Sequence, residues 1–270
     1  MTAGMKDGTG LAGFAAEFPD RFCDVGIAEE HMTAFASGLA AGGMRPFVAV
    51  YSTFVQRAVD QVMHDVAISS LPVVICLDRA GVVGADGVTH QGIYDIALLR
   101  SVPNLTICQP KDADDLKALL REALDRKGPT VIRYPRGPAP RKVEVEGRGG
   151  RRDLNVPLST SASASRLSIW ATGDQLEKAY SVAARIPGTE VVFARYLKPF
   201  DAELLAKQRA AGMKIVSLEN GTVVGGLGEA IGADRRFGWP DAFIPHGSQD
   251  ELERRYGLDV DSIARGLSNG

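Results

Sequence analysis

The chain has 270 residues, of which 45% are hydrophobic and 24% are charged, as in an ordinary globular protein long enough for two domains. Its 31 basic and 33 acidic residues nearly cancel, which excludes the broad positive surface expected of a nucleic-acid-binding or membrane-surface protein. No apolar run reaches the roughly 18 residues that a membrane-spanning helix needs, so the sequence predicts a soluble protein with small-molecule ligands.

Short apolar runs alternate with helical patterns in the first half of the chain. The runs are apolar on both faces, which is typical of parallel strands covered by helices. The predicted strands are "PFVAVYS", "PVVICLD", "LTICQP" and "TVIRYP". The predicted helices cover residues 28–40, 53–68 and 112–125, with apolar stripes at Met32, Phe35 and Leu39, at Phe54, Ala58, Val62 and Val66, and at Leu116, Leu119 and Leu120. This alternation predicts an α/β domain with a parallel sheet.

The second half repeats the alternation after a break. Pro, Gly, basic residues and a Ser/Ala tract fill the stretch "GPAPRKVEVEGRGGRRDLNVPLSTSASAS", which indicates a linker. Beyond it, "LSIWATG", "EVVFARYLKP" and "KIVSLEN" have the pattern of further buried strands. We therefore expect two doubly wound parallel-sheet domains, at residues 1–137 and 166–270, joined by a linker at 138–165.

Cysteine usage and the N-terminus indicate the compartment. The three cysteines, Cys23, Cys76 and Cys108, are far apart and lie beside or inside apolar runs, without metal-ligand spacing. Such a pattern is typical of reduced, buried thiols in a cytosol. The N-terminus, "MTAGMKDGTG", has no apolar signal core. A cytoplasmic protein is expected.

Polar residues follow several of the predicted strands. Active sites of open α/β sheets form beyond the carboxyl ends of the strands, so residues at these places are candidates for chemistry. The candidates are Tyr51, Arg79, Asp86, His90, Arg133 and Arg136. Two or three arginines at one mouth would suit a phosphate, because the guanidinium fork matches phosphate oxygens.

Other candidates also have an ordinary structural explanation. The residues alone do not decide between that explanation and a functional role. Glu29, where the apolar run "VGIA" gives way to a helix, could be a first-turn acid favoured by the helix dipole. Phe54 would by default be a core residue. The glycine-rich loop "DRAGVVGADGVTHQG" matches neither the Walker nor the dinucleotide fingerprint.

Four longer stretches carry a family resemblance. The sequences "FPDRFCDVGIAEEHMTAFASGLAAGG", "VAVYSTFVQRAVDQVMHDVAI", "LPVVICLDRAGVVGADGVTHQG" and "VIRYPRG" resemble the 1-deoxy-D-xylulose-5-phosphate synthases, a branch of the transketolase-like thiamine diphosphate enzymes. "FIPHGSQDEL" is similar to their last domain. The resemblance implies a pyrimidine-binding domain followed by a transketolase C-terminal-like domain.

The resemblance also implies how the cofactor's pyrimidine is bound. Glu29 matches the glutamate that hydrogen-bonds the N1′ nitrogen of the aminopyrimidine and relays a proton, a role that needs a carboxyl in a water-poor site. Phe54 matches the residue that stacks on the pyrimidine, with Tyr51 and Arg57 beside it. Glu30 is expected to support Glu29 from behind.

The substrate side follows from the same resemblance. Asp86 and His90 are similar to loop residues that face the reacting carbons, with His90 and Asp86 handling protons. Arg79 and Arg133 resemble a clamp on the phosphate of the acceptor. Each of these residues would therefore lie at the mouth of the first sheet.

Several parts of the family pattern have no counterpart in this sequence. The family's diphosphate-binding domain, with its Gly-Asp-Gly start and metal-holding Asn, is one of them. We therefore expect thiamine diphosphate to be shared with a partner chain that carries this domain and the Mg²⁺ ligands, in a heterotetramer. A family strand before "TAGM" and an apolar strand before "WPDAF" are also expected to be absent.

These features predict one subunit of a split transferase. It would move a two-carbon unit from a keto donor, pyruvate or a ketose, to an aldehyde acceptor that carries a phosphate. Two alternatives stay open: a non-catalytic interaction or regulatory remnant, and the beta-type subunit of a 2-oxo acid dehydrogenase-like enzyme. The retained Glu29, Asp86 and His90 argue against the remnant, and "DRAGVVGADGVTHQG" with "RYPRG" favours the synthase.

Overall fold

The computed structural model describes residues 1–139 and 167–268, together with the backbone of residues 156–158. We refer to residues 1–139 as the first half and to the remaining described residues as the second half. Most of the expected linker at 138–165 lies outside the described residues. Within it, Val156–Leu158 forms a strand that the sequence analysis did not predict.

The first half supplies four parallel strands, all of them predicted. They are β1 Phe47–Tyr51, β2 Val74–Asp78, β3 Thr106–Cys108 and β4 Thr130–Arg133. Their order is β1-β2-β4-β3. Ile75, Val131 and Ile107 are paired across three of these strands and are almost fully buried. Burial on both faces explains why the strands are continuous apolar runs.

The second half supplies the remaining strands. They are β5 Val156–Leu158, β6 Leu167–Ala171, β7 Glu190–Phe193, β8 Tyr196–Lys198, β9 Lys214–Thr222 and β10 Arg235–Trp239. Among the described residues, five of these form a second sheet in the order β10-β9-β6-β7-β5. Its pairs are parallel except for β5, which runs antiparallel to β7. The expected α/β fold with two mainly parallel sheets is confirmed.

Strand β8 leaves the second half and joins the first sheet. It runs antiparallel to β3, with Lys198 opposite Ile107. Arg195, just before β8, forms ion pairs with Asp115 and Glu122 of the first half, at 2.8 and 2.9 Å. These contacts direct the chain away from the second sheet, so the predicted single strand "EVVFARYLKP" is two strands in two sheets.

Helices connect the strands in both halves. The α-helices are α1 Ala12–Glu17, α2 Glu29–Ala41, α3 Ser52–Val55, α4 Val59–Gln61, α5 Asp95–Arg100, α6 Ala113–Asp125, α7 Leu176–Ala183, α8 Ala202–Ala210, α9 Leu227–Ala230, α10 Gln249–Tyr256 and α11 Val260–Ser268. Short 3₁₀ segments lie at Pro19–Arg21, Gln56–Ala58, Gly84–Asp86, Val88–His90 and Gly173–Gln175, and a π-helical turn at Val62–Ala67. The helix predicted at 53–68 is therefore present, but it changes type along its length.

Helix α2 buries only part of the predicted apolar stripe. Met32, Ala36 and Ala40 are buried, whereas Phe35 is 39% exposed. The two alanines leave room for the helix to pack closely on its neighbours, and Phe35 stays outside, stacked on His31 at 5.9 Å between ring centroids. Of the predicted stripe, Met32 is buried, Leu39 is partly buried and Phe35 is exposed, because periodicity does not show at which position the neighbouring elements leave room.

Strand β10 occupies the place before "WPDAF" where no strand was expected. It pairs in parallel with β9. Its first two residues, Arg235 and Arg236, are exposed, and the strand becomes buried only at Gly238 and Trp239. An edge strand with two leading arginines has no continuous apolar run, which is why the pattern concealed it.

The N-terminal residues lie along the outer side of β1. The backbone N–H of Ala49 donates to the Met1 carbonyl at 2.9 Å. Thr2 forms parallel bridges with both Asp24 and Ala49. Met1 and Thr2 therefore pair with β1 at Ala49.

Candidate active site

The candidate site lies at the carboxyl ends of β1 and β2, as predicted. These ends are in register, with Tyr51 beside Asp78. After Tyr51 the chain turns directly into α3, and after Asp78 it enters residues 79–92, which we call the site loop. Adjacent parallel strands thus bring their following residues to one edge of the sheet.

Glu29 is a buried acid at the first residue of α2. It is 1% exposed, at the end of the helix where the dipole favours negative charge. Nη1 of Arg57 lies 3.3 Å from Oε2 of Glu29, and among the described residues this is the one hydrogen bond to the carboxylate. Glu30 is exposed, so the structure does not place it behind Glu29.

An aromatic group lies next to this segment. The rings of Tyr51 and Phe54 are stacked with centroids 5.7 Å apart, and Phe54 meets His90 edge to face at 5.4 Å. The His90 Nδ1 atom lies 2.9 Å from the Thr89 hydroxyl. The structure therefore brings His90 of the site loop onto Tyr51 and Phe54, which lie at the junction of β1 and α3.

Arg79 joins the aromatic group to an acid. Its backbone is in the left-handed region, with φ of 58°, and its N–H donates to Asp78 Oδ1 at 2.6 Å. Its guanidinium lies 4.0 Å from the centroid of the Tyr51 ring and forms an ion pair with Asp86. Asp86 also accepts from Arg136 Nη1 at 2.8 Å. One carboxylate thus bridges two arginines at the mouth of the sheet.

Arg133 does not belong to this group, and its predicted role as a phosphate clamp is not supported by its position. It is 0% exposed, and its guanidinium is bidentate on Asp95, at 2.9 and 3.1 Å. Nη1 also donates to Gln109 and to Asn220 Oδ1, the latter at 2.6 Å. A fully buried guanidinium with these partners has no free face for a substrate. Arg136, 46% exposed and three residues later, is the arginine that reaches the mouth.

The partners of Arg133 continue into a polar network between the two halves. Asp174 accepts from Gln109 Nε2 at 2.6 Å and from Asn220 Nδ2 at 2.5 Å. This network could not be predicted from the sequence, because its members are far apart in the chain. The available signal was a polar residue within or just after a buried strand, such as Asn220 in β9.

Glu219, next to Asn220, is a second buried acid that the sequence analysis missed. It is 2% exposed, and its carboxylate accepts the backbone N–H groups of Leu227 and Gly228 at 2.7 and 2.8 Å. Burial raises the pKa of Glu219 to about 7, against the opposing effect of these N–H groups. The acid therefore holds the first two backbone N–H groups of α9.

A cavity of about 200 Å³ lies behind the site loop, between the two halves. Its lining residues include Val83, Ala85, Arg136, Asp174, Lys178 and Glu253. Lys178 and Glu253 form an ion pair across it at 2.8 Å. The cavity is thus lined by the site loop on one side and by polar groups of the second half on the other.

The arrangement suits a planar heteroaromatic ring and an anionic substrate group. A buried carboxylate can hold a proton against a ring nitrogen, an aromatic face can stack on the ring, and guanidinium groups can bind oxyanions. Within residues 1–139 and 167–268, no cluster of three or more His, Cys, Asp or Glu is arranged to hold a metal. The helices of the described part include none that is both long and apolar enough to span a bilayer.

Known families match nearly the whole chain. Residues 1–141 match the model for the transketolase pyrimidine-binding domain, and residues 159–263 match that for the transketolase C-terminal domain. The match to the first model alone covers more than half of the chain.

Curated relatives are 1-deoxy-D-xylulose-5-phosphate synthases. The chain is 41% identical to synthase 2 of Geobacter sulfurreducens over 98% of its length. It is 43% identical to the synthases of Clostridium perfringens and Thermus thermophilus, each over 99% of its length. The chain spans only 44% to 45% of the length of these relatives.

Solved structures show the same fold. A split-gene transketolase, in an inactive beta4 tetramer, is 28% identical with a TM-score of 0.83, over 99% of this chain and 89% of that one. Transketolase from Campylobacter jejuni is 18% identical with a TM-score of 0.78, over 92% of this chain and 39% of that one. The second likeness concerns the fold alone.

Proposed function

Because the chain belongs to the transketolase family, we propose that it is the pyrimidine-binding subunit of a split, thiamine diphosphate-dependent transferase of the 1-deoxy-D-xylulose-5-phosphate synthase type. The observation that carries the proposal is Glu29, an acid 1% exposed at a helix start, beside a segment that presents Phe54 and Arg57. Identity above 40% to synthases over nearly the whole chain supports the reaction type.

The residues present fit the aminopyrimidine end of the cofactor. Glu29 would hold a proton at N1′ of the ring, and Arg57 would fix the orientation of the carboxylate through its hydrogen bond at 3.3 Å. Phe54, backed by Tyr51, would stack on the ring. When bound, the cofactor supplies the electron sink for transfer of a two-carbon unit from a keto donor such as pyruvate or a ketose.

The site loop would bind the acceptor. His90 and Asp86 would hold and move protons at the reacting carbonyl, and Arg79 with Arg136 would bind the phosphate of an aldehyde acceptor. Asp86 forms ion pairs with both arginines, so we infer that the substrate phosphate takes the place of this carboxylate on the two guanidinium groups. Arg136 replaces Arg133 in the role that the resemblance assigned to the buried residue.

The diphosphate and Mg²⁺ would be held by a partner chain. This proposal is supported by the likeness of the chain to a split-gene transketolase, over 99% of this chain and 89% of that one. We propose a heterotetramer with a chain that bears the diphosphate-binding domain. We also propose that residues 1–137 and 166–270 are the two domains. A cytoplasmic location is proposed as well, because the three cysteines are free thiols.

Reconstitution tests this function. The gene neighbourhood should contain a reading frame with a Gly-Asp-Gly motif and a downstream Asn, and its product should be purified with and without this chain. We expect donor-dependent transfer to glyceraldehyde 3-phosphate by the pair only. Calorimetry with thiamine diphosphate and Mg²⁺ should show weak binding to this chain alone. An inactive pair that nevertheless assembles would favour the regulatory remnant instead.

A further inference from the structure

The site loop has a backbone that can adopt many shapes. Its ends are joined, since the N–H and C=O groups of Gly81 and Gly92 exchange hydrogen bonds of 2.8 and 2.7 Å. Between them, Gly84 and Gly87 have positive φ angles of 53° and 84°. Glycines permit these angles but do not select them, so something outside the loop must fix its shape.

Gln91 provides one fixed point. It is 3% exposed. Its Oε1 accepts the backbone N–H of Val83 at 2.8 Å, inside the loop. Its Nε2 donates to the carbonyls of Ile244 and Pro245 in the second half, at 3.4 and 3.2 Å. One side-chain amide therefore closes the loop on itself and ties it to the other half of the chain.

Close packing accompanies these hydrogen bonds. A Cβ atom at Gly84 would lie 2.5 Å from the carbonyl oxygen of Gly247, so the two backbones are in direct contact. At the foot of the loop, Asn220 Nδ2 donates to the Ala80 carbonyl at 3.4 Å. The apolar cluster beside the loop is also shared between the halves, with Val82, Ile93, Trp239, Ile244, Leu252 and Leu258.

We propose that Gln91 is a positioning residue through which the second half sets the geometry of the site loop, and with it the placement of Arg79, Asp86 and His90. The inference rests on the proposed function and gives the second half a part in the geometry of the site. In the structure, the hydrogen bonds of Gln91 go to backbone groups and not to the site side chains. A loop that loses this amide keeps its residues but not their mutual placement, which catalysis requires to within about 0.5 Å.

Hydrogen exchange on the intact chain tests the proposal directly. In Gln91→Leu, amides of residues 82–90 should exchange about tenfold faster or more, since local opening no longer breaks the three hydrogen bonds. The matched control is Gln208→Leu in the second half. Gln208 is equally buried, accepts from Trp170 Nε1 and donates to Glu190, both at 2.9 Å. The control should lose stability but leave exchange in the loop unchanged.

A second readout uses the reconstituted pair. Gln91→Leu should raise KM for the acceptor and lower kcat, for a loss in kcat/KM of about 10- to 100-fold, whereas Gln208→Leu should retain both values. If Gln91→Leu does not fold, the isosteric Gln91→Glu replaces it. Its carboxylate would repel two carbonyls when ionised and would restore a donor when protonated, so loop protection should rise as the pH falls.

The outcomes separate two ideas. Unchanged loop exchange in Gln91→Leu, or equal loosening in Gln208→Leu, overturns the positioning role. A wild-type pair without transfer activity defeats the proposed function, but leaves the exchange comparison valid as a test of Gln91.

Discussion

Glu29 and Glu30 are consecutive residues of α2, and yet Glu29 is 1% exposed while Glu30 faces solvent. Burying a carboxylate is costly unless it is paired or used. Arg57 pairs with Glu29 at 3.3 Å but is itself 53% exposed, so this contact does not account for the burial. The two adjacent acids are therefore divided between two environments. Glu29 lies in the buried site, and Glu30 lies in solvent.

The first prediction uses this division. Glu29→Gln should abolish turnover in the reconstituted pair, because the amide keeps the packing but cannot relay a proton. Loss of a proton-transfer group typically costs 10²- to 10⁴-fold, or about 3 to 5 kcal/mol of barrier. Steady-state rates measure it, and size-exclusion chromatography should show unchanged assembly. Glu30→Gln is the matched control and should retain its rate. Activity above about a tenth of wild type in Glu29→Gln would refute the assignment.

The second prediction concerns the bridged arginines. Arg79→Ala and Arg136→Ala should each raise KM for glyceraldehyde 3-phosphate by about 10-fold or more and affect unphosphorylated glyceraldehyde much less. Arg185→Ala, at an exposed ion pair with Asp261, is the control. Equal effects on both aldehydes would mean that the arginines act on the loop and not on the phosphate.

The third prediction tests the reassignment of Arg133. Arg133→Met should destabilise the chain by about 3 to 5 kcal/mol, because Asp95 is left as a buried, unpaired charge. Asp95→Asn in the same chain should recover part of this loss. Urea unfolding of the single and double variants gives both values. A stable Arg133→Met variant with a raised KM for the phosphorylated acceptor would instead restore the role predicted from the sequence.

The fourth prediction is a pH dependence of stability. Burial raises the pKa of Glu219 to about 7, above the value of about 4.3 expected in the unfolded chain. The folded state thus retains a proton that the unfolded state releases. The stabilisation is complete below about pH 4 and is lost as the pH rises through about 7. From about pH 5 to 8, the free energy of unfolding should fall by about 2 to 3 kcal/mol more in wild type than in Glu219→Gln.

Other titratable groups do not obscure the difference in pH dependence between wild type and Glu219→Gln. Burial also raises the pKa of Asp78, which adds a slope of the same sign to wild type and variant alike. Glu251→Gln, at an exposed residue whose pKa is lowered by the Ser248 hydroxyl, should leave the slope in this range intact. Parallel curves for wild type and Glu219→Gln would contradict the buried-acid interpretation.

The fifth prediction concerns the thiols. Burial raises the pKa of Cys76 to about 12 and raises that of Cys108 as well, so both remain protonated and shielded near neutral pH. Cys23 is partly exposed. A thiol reagent such as Ellman's should therefore modify one cysteine of the folded chain, lost in Cys23→Ser, and the other two only in denaturant. Rapid reaction of two or three thiols would show that the core opens easily.

The strands of the first sheet could be predicted because they are continuous apolar runs, and the residues after β1 and β2 could be located by the rule for parallel sheets. Arg133 and Arg136 could not be told apart in the same way. Arg133 is the last residue of β4, and Arg136 follows three residues later. Arg133 points inward because it pairs with Asp95, which lies 38 residues earlier in the chain. Long-range pairing of this kind leaves no local pattern.

The same limit applies to helices and loops. Phe35 has the hydrophobicity of a core residue, but the available space beside α2 suits Ala36. Gln91 looks like any polar loop residue, and its importance follows only from carbonyls 153 and 154 residues away. What the sequence conceals in this protein is the contact between the two halves, where Arg133, Asn220 and Gln91 are buried.

Strand β8 links the two halves through its pairing with β3. Because it lies by sequence in one half and by pairing in the sheet of the other, the halves cannot move apart without breaking its ladder with β3. In a fragment that stopped before β8, β3 would be an unpaired edge strand that could pair with other chains. We expect heat to melt the chain in one cooperative step. A useful truncation or fusion point therefore lies outside the span from Thr2 to Lys198, not at the junction that the sequence suggests.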